Sequence, residues 1–268
     1  MTRGWFRVVS CEMAGVLAVE AETAHAFPRH SHEQFGFGLI ERGAQRSASG
    51  RGIVEAEAGD LITVNPGEVH DGAPLGTAGR AWRMLYFDPA LIAETAYDAN
   101  EGNTRTWEFV RPVLRDDALT GAFRILYNAL TAPEEAADLR RDEALSVIVD
   151  RLLRERPLEA LPAVPAAIRF AQEFIDDDPT APVTLAELAR VSGLSRFQVV
   201  RGFSQAFGLT PHAYLIQRRI DRARQLIMGG APLSHAAAAS GFADQSHMTR
   251  HFVRRFGFPP GTLSKVAT

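Results

Sequence analysis

Ser192-Gly193-Leu194-Ser195-Arg196-Phe197-Gln198-Val199-Val200-Arg201-Gly202-Phe203-Ser204-Gln205-Ala206-Phe207-Gly208-Leu209-Thr210-Pro211 is followed, with variations, by Ser240-Gly241-Phe242-Ala243-Asp244-Gln245-Ser246-His247-Met248-Thr249-Arg250-His251-Phe252-Val253-Arg254-Arg255-Phe256-Gly257-Phe258-Pro259-Pro260. Arg201, Phe203, Phe207, Gly208 and Pro211 recur as Arg250, Phe252, Phe256, Gly257 and Pro260, each 49 positions on. The Ser-Gly pairs are 48 apart, so one copy carries an extra residue in its turn. A repeat of this period marks a duplicated supersecondary unit. Each copy reads as helix, short glycine-containing turn, helix.

The local chemistry supports that reading. Thr184-Leu185-Ala186-Glu187 fits a capping box, in which Thr and Glu side chains satisfy the orphan amides of a helix start. Leu185, Leu188 and Val191 give the helix an apolar stripe, and Gly193 supplies the backbone freedom of a sharp turn. Ser195, with Gln198 three residues on, opens the second helix. There Val199, Phe203 and Phe207 share one face, while Phe197, Val200, Arg201 and Ser204 share another. In the second copy Met248, Phe252 and Phe256 form the inner face, and Gln245, Ser246, Thr249 and Arg250 point outward beside Asp244 as the cap. Arg, Gln, Ser and Thr read base edges or grip phosphates in a major groove. The pattern is a helix-turn-helix, twice, with a recognition helix in each copy.

Residues 164–262 resemble the tandem helix-turn-helix domain of the AraC/XylS family of bacterial transcription regulators, above all along Gly241 to Pro260. The resemblance implies two three-helix units on a long linker helix, with the recognition helices in two successive major grooves of double-stranded DNA. That linker spans roughly Pro211 to Met228, carries Arg218, Arg219, Arg222 and Arg224, and ends at Gly229-Gly230. The family's reading positions fall on Phe197, Val200 and Arg201, and on Gln245, Ser246, Thr249 and Arg250; Gln198 completes the DNA-facing set. The plainer alternative makes Arg201 and Arg250 packing or ion-pair residues. Gly202 departs from the pattern, because glycine inside a helix costs about 1 kcal/mol relative to alanine. Ala236 to Ala239 give their helix a thin core face.

The rest of the chain fits a two-part protein. Its length, 268 residues with 46% hydrophobic and 23% charged, allows ordinary globular domains. It carries no apolar run of membrane-spanning length, and its N-terminus lacks the apolar core of a signal peptide, so a bacterial cytoplasmic location is expected. The lone Cys11 reads as a small buried hydrophobe. The net charge of −3 conceals a partition: 17 basic against 25 acidic residues before position 163, and 12 against 7 from there on. Between 195 and 268 the count is 10 against 2, which is what phosphate binding asks for.

Short strands with turn punctuation are expected from about 16 to 87: Val16–Val19, Phe35–Ile40, Ile53-Val54, Leu61–Val64 and Trp82–Phe87, with a turn at Asn65–Glu68. His30-Ser31-His32-Glu33 and Pro66-Gly67-Glu68-Val69-His70 resemble the two half-motifs of a cupin barrel, the sensor fold of the AraC family. The resemblance implies a divalent metal site on His30, His32 and His70. The cupin carboxylate is missing from its place, since Glu33 directly follows His32 and the positions three and four beyond His32 hold Phe35 and Gly36. The alternative is an effector pocket, with His30, His32, His70, Arg83 and Tyr86 as polar contacts and Phe35, Phe37 and Trp82 as walls.

From about 89 to 158 the pattern turns helical, over Gly121–Leu130 and again from Pro133-Glu134-Glu135, where Leu139, Leu145, Ile148, Val149, Leu152 and Leu153 form a stripe. That stripe packs either on the barrel or on a second subunit, and the resemblance favours a homodimer. Pro157 to Pro165 reads as a linker. The expected fold class is α+β multidomain: a cupin-like β-barrel over 1–95, a helical, dimerising segment over 96–160, and an all-α tandem helix-turn-helix domain over 161–268. The expected function is an effector-controlled transcription activator that works with RNA polymerase, needs no cofactor and is not an enzyme. A metal-dependent cupin enzyme with an appended helical domain is the competing reading, and an architectural DNA binder a third.

Overall fold

The computed structural model describes residues 4–9, 11, 13–99, 107–132, 137–155 and 164–264. The chain forms two compact units, one of residues 1–26 and 31–160, the other of residues 161–268 together with the segment 27–30. The β-rich part comprises β1 (Trp5–Val9), β2 (Val16–Thr23), β3 (Phe27–His30), β4 (Phe35–Arg42), β5 (Ala44–Ser49), β6 (Gly52–Glu57), β7 (Leu61–Val64), β8 (His70–Pro74) and β9 (Arg80–Phe87). Then come α1 (Pro89–Ala99), β10 (Trp107–Phe109), β11 (Val113–Leu114), α2 (Asp117–Thr131), α3 (Ala137–Leu152) and β12 (Leu153–Glu155). Hydrogen bonds join the strands into a six-stranded sheet, β1-β2-β9-β4-β7-β11, and a four-stranded sheet, β3-β8-β5-β6. β10 and β12 form a separate pair.

The central strands β4 and β9 are hydrophobic along both faces because both faces are covered. Side chains alternate along a strand, so Phe35, Phe37, Leu39, Leu85 and Phe87 turn one way. They enter one core with Phe123, Leu126 and Tyr127 of α2 and Leu145, Ile148, Val149 and Leu152 of α3. Phe37 meets Phe123 edge-on at 5.4 Å, and Phe35 meets Phe109 at 5.3 Å. Each such fully buried Phe is worth about 1.5–3 kcal/mol. The α3 stripe therefore packs on the barrel, whereas Leu139, expected to share it, is 65% exposed. The other face of β4 carries Gly36 and Gly38. A Cβ there would lie 2.6 Å from Met84 Cε and 2.4 Å from Met84 Sδ, so the glycines let Met84 lie flat across the strand.

Strands β1, β3, β5 and β8 are additions to the sequence reading. β5, Ala-Gln-Arg-Ser-Ala-Ser, has no apolar alternation, and β3 and β8 carry Pro28, Pro74 and histidines; the neighbouring strands decide them. Burial pushes the Cys11 thiol up to about 11, which leaves it protonated and inert. The helix opening at Pro133-Glu134-Glu135 and residues 157–163 of the Pro157–Pro165 linker lie outside the described residues.

The helical unit contains α4 (Ala166–Asp177), α5 (Leu185–Ser192), α6 (Arg196–Phe207), α7 (Pro211–Met228), α8 (Leu233–Ala239), α9 (Gln245–Phe256) and α10 (Gly261–Ser264). Both capping boxes form, Thr184 with Glu187 and Ser195 with Gln198. Gly193 takes the left-handed conformation that ends α5, and Gly208 and Gly257 end α6 and α9 in the same way. Val199 and Phe203 are buried against Ile168, Ala171, Ile175, Leu188 and Leu215. Gly202 has a packing reason: a Cβ there would lie 2.2 Å from Ile168 Cδ1, so glycine admits the close crossing of α4 and α6. In the second unit Ala236, Ala237, Met248 and Phe252 are buried, and Phe252 packs on Phe256 at 4.5 Å.

Candidate nucleic-acid interface and barrel site

The two capped helices α6 and α9 present the expected residues outward. Phe197 is 75% exposed, Gln198 and Arg201 are exposed, and Val200 is half-buried beside the core. On α9, Gln245, Ser246 and Arg250 are exposed and Thr249 is half-buried. No carboxylate pairs with Arg201 or Arg250 among the described residues, which leaves both guanidinium groups available to bases or phosphates. Gln198 has a second task, because its Oε1 accepts the Ser195 amide at 2.9 Å in the capping box.

α9 also carries a histidine pair. The Nε2 atoms of His247 and His251 lie 3.1 Å apart, so one ring must offer a lone pair to the other's proton. Burial first, then the charges of His247, His212, Arg254 and Arg250, hold the His251 imidazole below its ordinary 6.5.

Much of the basic charge on α7 is engaged in bonds within the protein. Arg218 Nε pairs with Asp176 at 3.0 Å, and Arg222 Nε donates to Ala239 O at 2.9 Å. Arg219 is turned onto backbone carbonyls, and burial lowers its pKa while the charge of Asp178 opposes that shift. Arg255 is buried in a 2.7 Å ion pair with Asp221. The basic partition of the sequence thus overstates the charge available to DNA.

In the barrel, His30, His32 and His70 come together: one ligand nitrogen from each lies within 4.8 Å of the others. They come from three places, since β3 ends at His30, His32 follows it in the loop and His70 begins β8; β3 and β8 are neighbours in the sheet. The Gly67 amide donates to His32 O at 2.7 Å and so ties the two half-motif loops together. His30 Nδ1 lies 2.7 Å from Pro28 O, and His70 Nδ1 lies 2.9 Å from Glu68 O. A carbonyl only accepts, so both Nδ1 atoms are protonated and a neutral ring keeps its lone pair on Nε2. His32 stacks near His70 and Tyr86, with centroids 5.2 and 5.1 Å away. Glu33 is exposed, and the gathered ligand set contains no carboxylate among the described residues.

Two parts of the expected pocket lie elsewhere. Arg83 is on the opposite face of β9 from Trp82 and Tyr86, bridges Glu20 (3.3 Å) and Glu41 (3.8 Å), and sits over the Tyr127 ring. Phe35 and Phe37 share that helix-covered face. The cationic group on the face of Trp82 and Tyr86 is Arg80, passed over in the sequence. It is 3% exposed, donates to Gln45 Oε1 at 2.8 Å and to His25 O at 3.1 Å, and lies 4.8 Å over the Trp82 ring. Burial lowers its pKa to about 10, so it stays cationic at neutral pH. Counting by twos from Tyr86 along β9 was the available signal.

A histidine-lined barrel and two helix-turn-helix units on one chain define a DNA-binding regulator that carries its own ligand-binding domain. The comparisons with known proteins agree. The AraC-like ligand-binding domain family matches residues 14–149, half of the chain, and a helix-turn-helix domain family matches residues 188–265. The chain belongs to the AraC family of transcriptional regulators. The uncharacterized regulator YbfI of Bacillus subtilis is 28% identical over 83% of this chain and 81% of its own length. The virulence regulon transcriptional activator VirF of Yersinia enterocolitica is 31% identical, over 47% of this chain and 44% of its own. Among solved structures, unsaturated fatty acid-bound ToxT from Vibrio cholerae matches 97% of this chain and 94% of its own with a TM-score of 0.54; at 11% identity this shows the fold alone.

Proposed function

We propose that this regulator reads duplex DNA in two successive major grooves through α6 and α9, and that a small molecule between the two barrel sheets controls it. The carrying observation is that Arg201 and Arg250, equivalent in the repeat, both stand exposed on capped helices with no carboxylate partner among the described residues. His30, His32, His70 and Tyr86 supply the effector contacts, with Arg80 further along the same face of β9. The effector acts through different affinities for two arrangements of the protein. Activation, supported by the activator named among the relatives, completes the proposal, with contact to RNA polymerase, a homodimer and a cytoplasmic location as its further parts.

Selection from a random duplex pool tests the DNA part. Two enriched elements about one helical turn apart are expected, with Arg201→Ala and Arg250→Ala each losing about 1–3 kcal/mol on that site. Equal losses on all sequences would reassign these arginines to phosphate. Tyr86→Phe and His70→Ala are expected to keep DNA affinity and change the effector response; loss of DNA binding in a folded variant would overturn the division of labour.

One observation favours a second reading of the barrel, a divalent metal held by His30, His32 and His70. Two Nδ1 atoms are pinned to carbonyls, the outer interaction that aims Nε2 at a metal. Ligand nitrogens at about 2.1 Å from a metal lie roughly 3–3.5 Å apart, so the rings need close by at most about 1.3–1.8 Å. Such an ion would polarise a bound effector, while the residues present would fix its position. Protein purified without chelator should carry about one equivalent that His70→Ala removes; less than about a tenth in the wild type ends this reading. A metal-dependent enzyme would leave the tandem helix-turn-helix units without a task.

A further inference from the structure

We propose that Arg219 sets the spacing of the two DNA elements by locking the two helix-turn-helix units into one rigid reader. This rests on the reading that α6 and α9 both read bases. Arg219 stands on the linker helix α7, and its guanidinium holds carbonyls from both units at once. Nε donates to Pro179 O at 2.6 Å and Nη2 to Ala181 O at 2.9 Å, in the loop between α4 and α5. Nη1 donates to Gly241 O at 2.7 Å, in the turn between α8 and α9.

The loop that Arg219 grips is itself held. Asp178 accepts from the Thr180 amide at 2.9 Å and the Thr180 hydroxyl at 2.6 Å. On the other side, Gly241 has φ +77, and a Cβ there would lie 2.7 Å from Thr180 O and 2.8 Å from Thr180 Cα. Backbone from the first unit therefore touches backbone from the second, with Arg219 across the seam. Only arginine presents a planar fork of donors that serves acceptors on two sides together; lysine keeps the charge but offers a single point. Arg218 to Asp176 and Arg222 to Ala239 O brace α7 on either side.

The consequence is geometric. Two recognition helices entering grooves about 34–36 Å apart bind together only when their mutual orientation matches the DNA. A rigid joint turns the second contact into an intramolecular event, and a loose joint forfeits that gain without touching either reader. The spacing of the operator is then written into the protein at the Pro179–Arg219–Gly241 seam.

The test compares wild type, Arg219→Ala, Arg219→Lys and Gly241→Ala in full-length protein. Each is run through random-duplex selection, then titrated against the selected two-element duplex and against duplexes keeping one element. The expected result is one spacing for wild type, and spacings spread over a base pair or more for the variants. Two-element affinity should fall at least about tenfold while single-element affinities stay at the wild-type value. Arg219→Lys carries the test if the alanine variant does not fold. Unchanged spacing and two-element affinity in folded variants would overturn the role of Arg219 alone. Equal loss on one- and two-element duplexes would make Arg219 merely structural and also overturn it. A wild type that selects one element would overturn the two-reader reading and this inference with it.

Discussion

In the first helix-turn-helix unit, α5 and α6 both start on reciprocal capping boxes. In the second, α8 starts after Pro232 with no side-chain cap, and α9 has Asp244 alone, accepting from the His247 amide at 2.6 Å. The second unit instead draws its anchors from the linker helix. Asp221 pairs with the buried Arg255, Arg222 reaches Ala239 O, and Arg219 reaches Gly241 O. Two copies of one repeat are therefore stabilised by different means. Caps act within one turn of helix, whereas the α7 contacts exist only in the assembled domain; the first unit has both, since Arg218 pairs with Asp176 and Arg219 reaches Pro179 O and Ala181 O, while the second has the α7 contacts and a single cap.

The sharpest way to break that contrast is Asp221→Ala. It leaves Arg255 buried beside a vacated partner, a change that typically costs about 3–5 kcal/mol. Amide exchange should show the loss concentrated in α8 and α9 while α5 and α6 keep their protection; uniform loss would show that the units are one cooperative block.

Gly202→Ala probes the first unit's own core. Alanine gains about 1 kcal/mol of helix propensity but drives a methyl into Ile168, where overpacking costs about 1–3 kcal/mol. A net loss in urea denaturation is expected, relieved by adding Ile168→Val, which removes the clashing Cδ1. A stabilised single variant would mean that the α4–α6 crossing is looser than described.

The smallest effect is in pH. The His251 pKa is depressed in the folded chain, so the unfolded chain takes up the proton first as pH falls through about 6.5, and stability declines from there downward. Above that range the contribution is flat. The melting midpoint of wild type should drop between pH 7.5 and 5.5, and less so in His251→Asn; equal drops would assign the dependence to other groups.

How much of this was legible beforehand follows the range of the interactions. Thr184 with Glu187, Ser195 with Gln198, and the phase that exposes Arg201 and Arg250 depend on neighbours three or four residues away, so the chain reads directly. Nothing local marks which face of β9 is lined by the other sheet, so the sequence cannot tell Arg83 from a pocket residue. Arg80, two residues before Trp82, has the phase that Arg83 lacks. β5 carries no strand pattern of its own, because a strand of Ala, Gln, Arg and Ser is paired by its neighbours.

From its sequence alone the protein's duplication, its capped helices and its histidine half-motifs were determined, because each is a matter of residue type at short, regular separation. Only the tertiary structure decided which of the linker's arginines are taken up in bonds within the protein, which strand face lines the barrel, and that three histidines from β3, β8 and the loop after β3 converge. Those outcomes depend on partners tens of residues away, as between Arg219 and Gly241, and burial, not residue type, tells one arginine's task from another's.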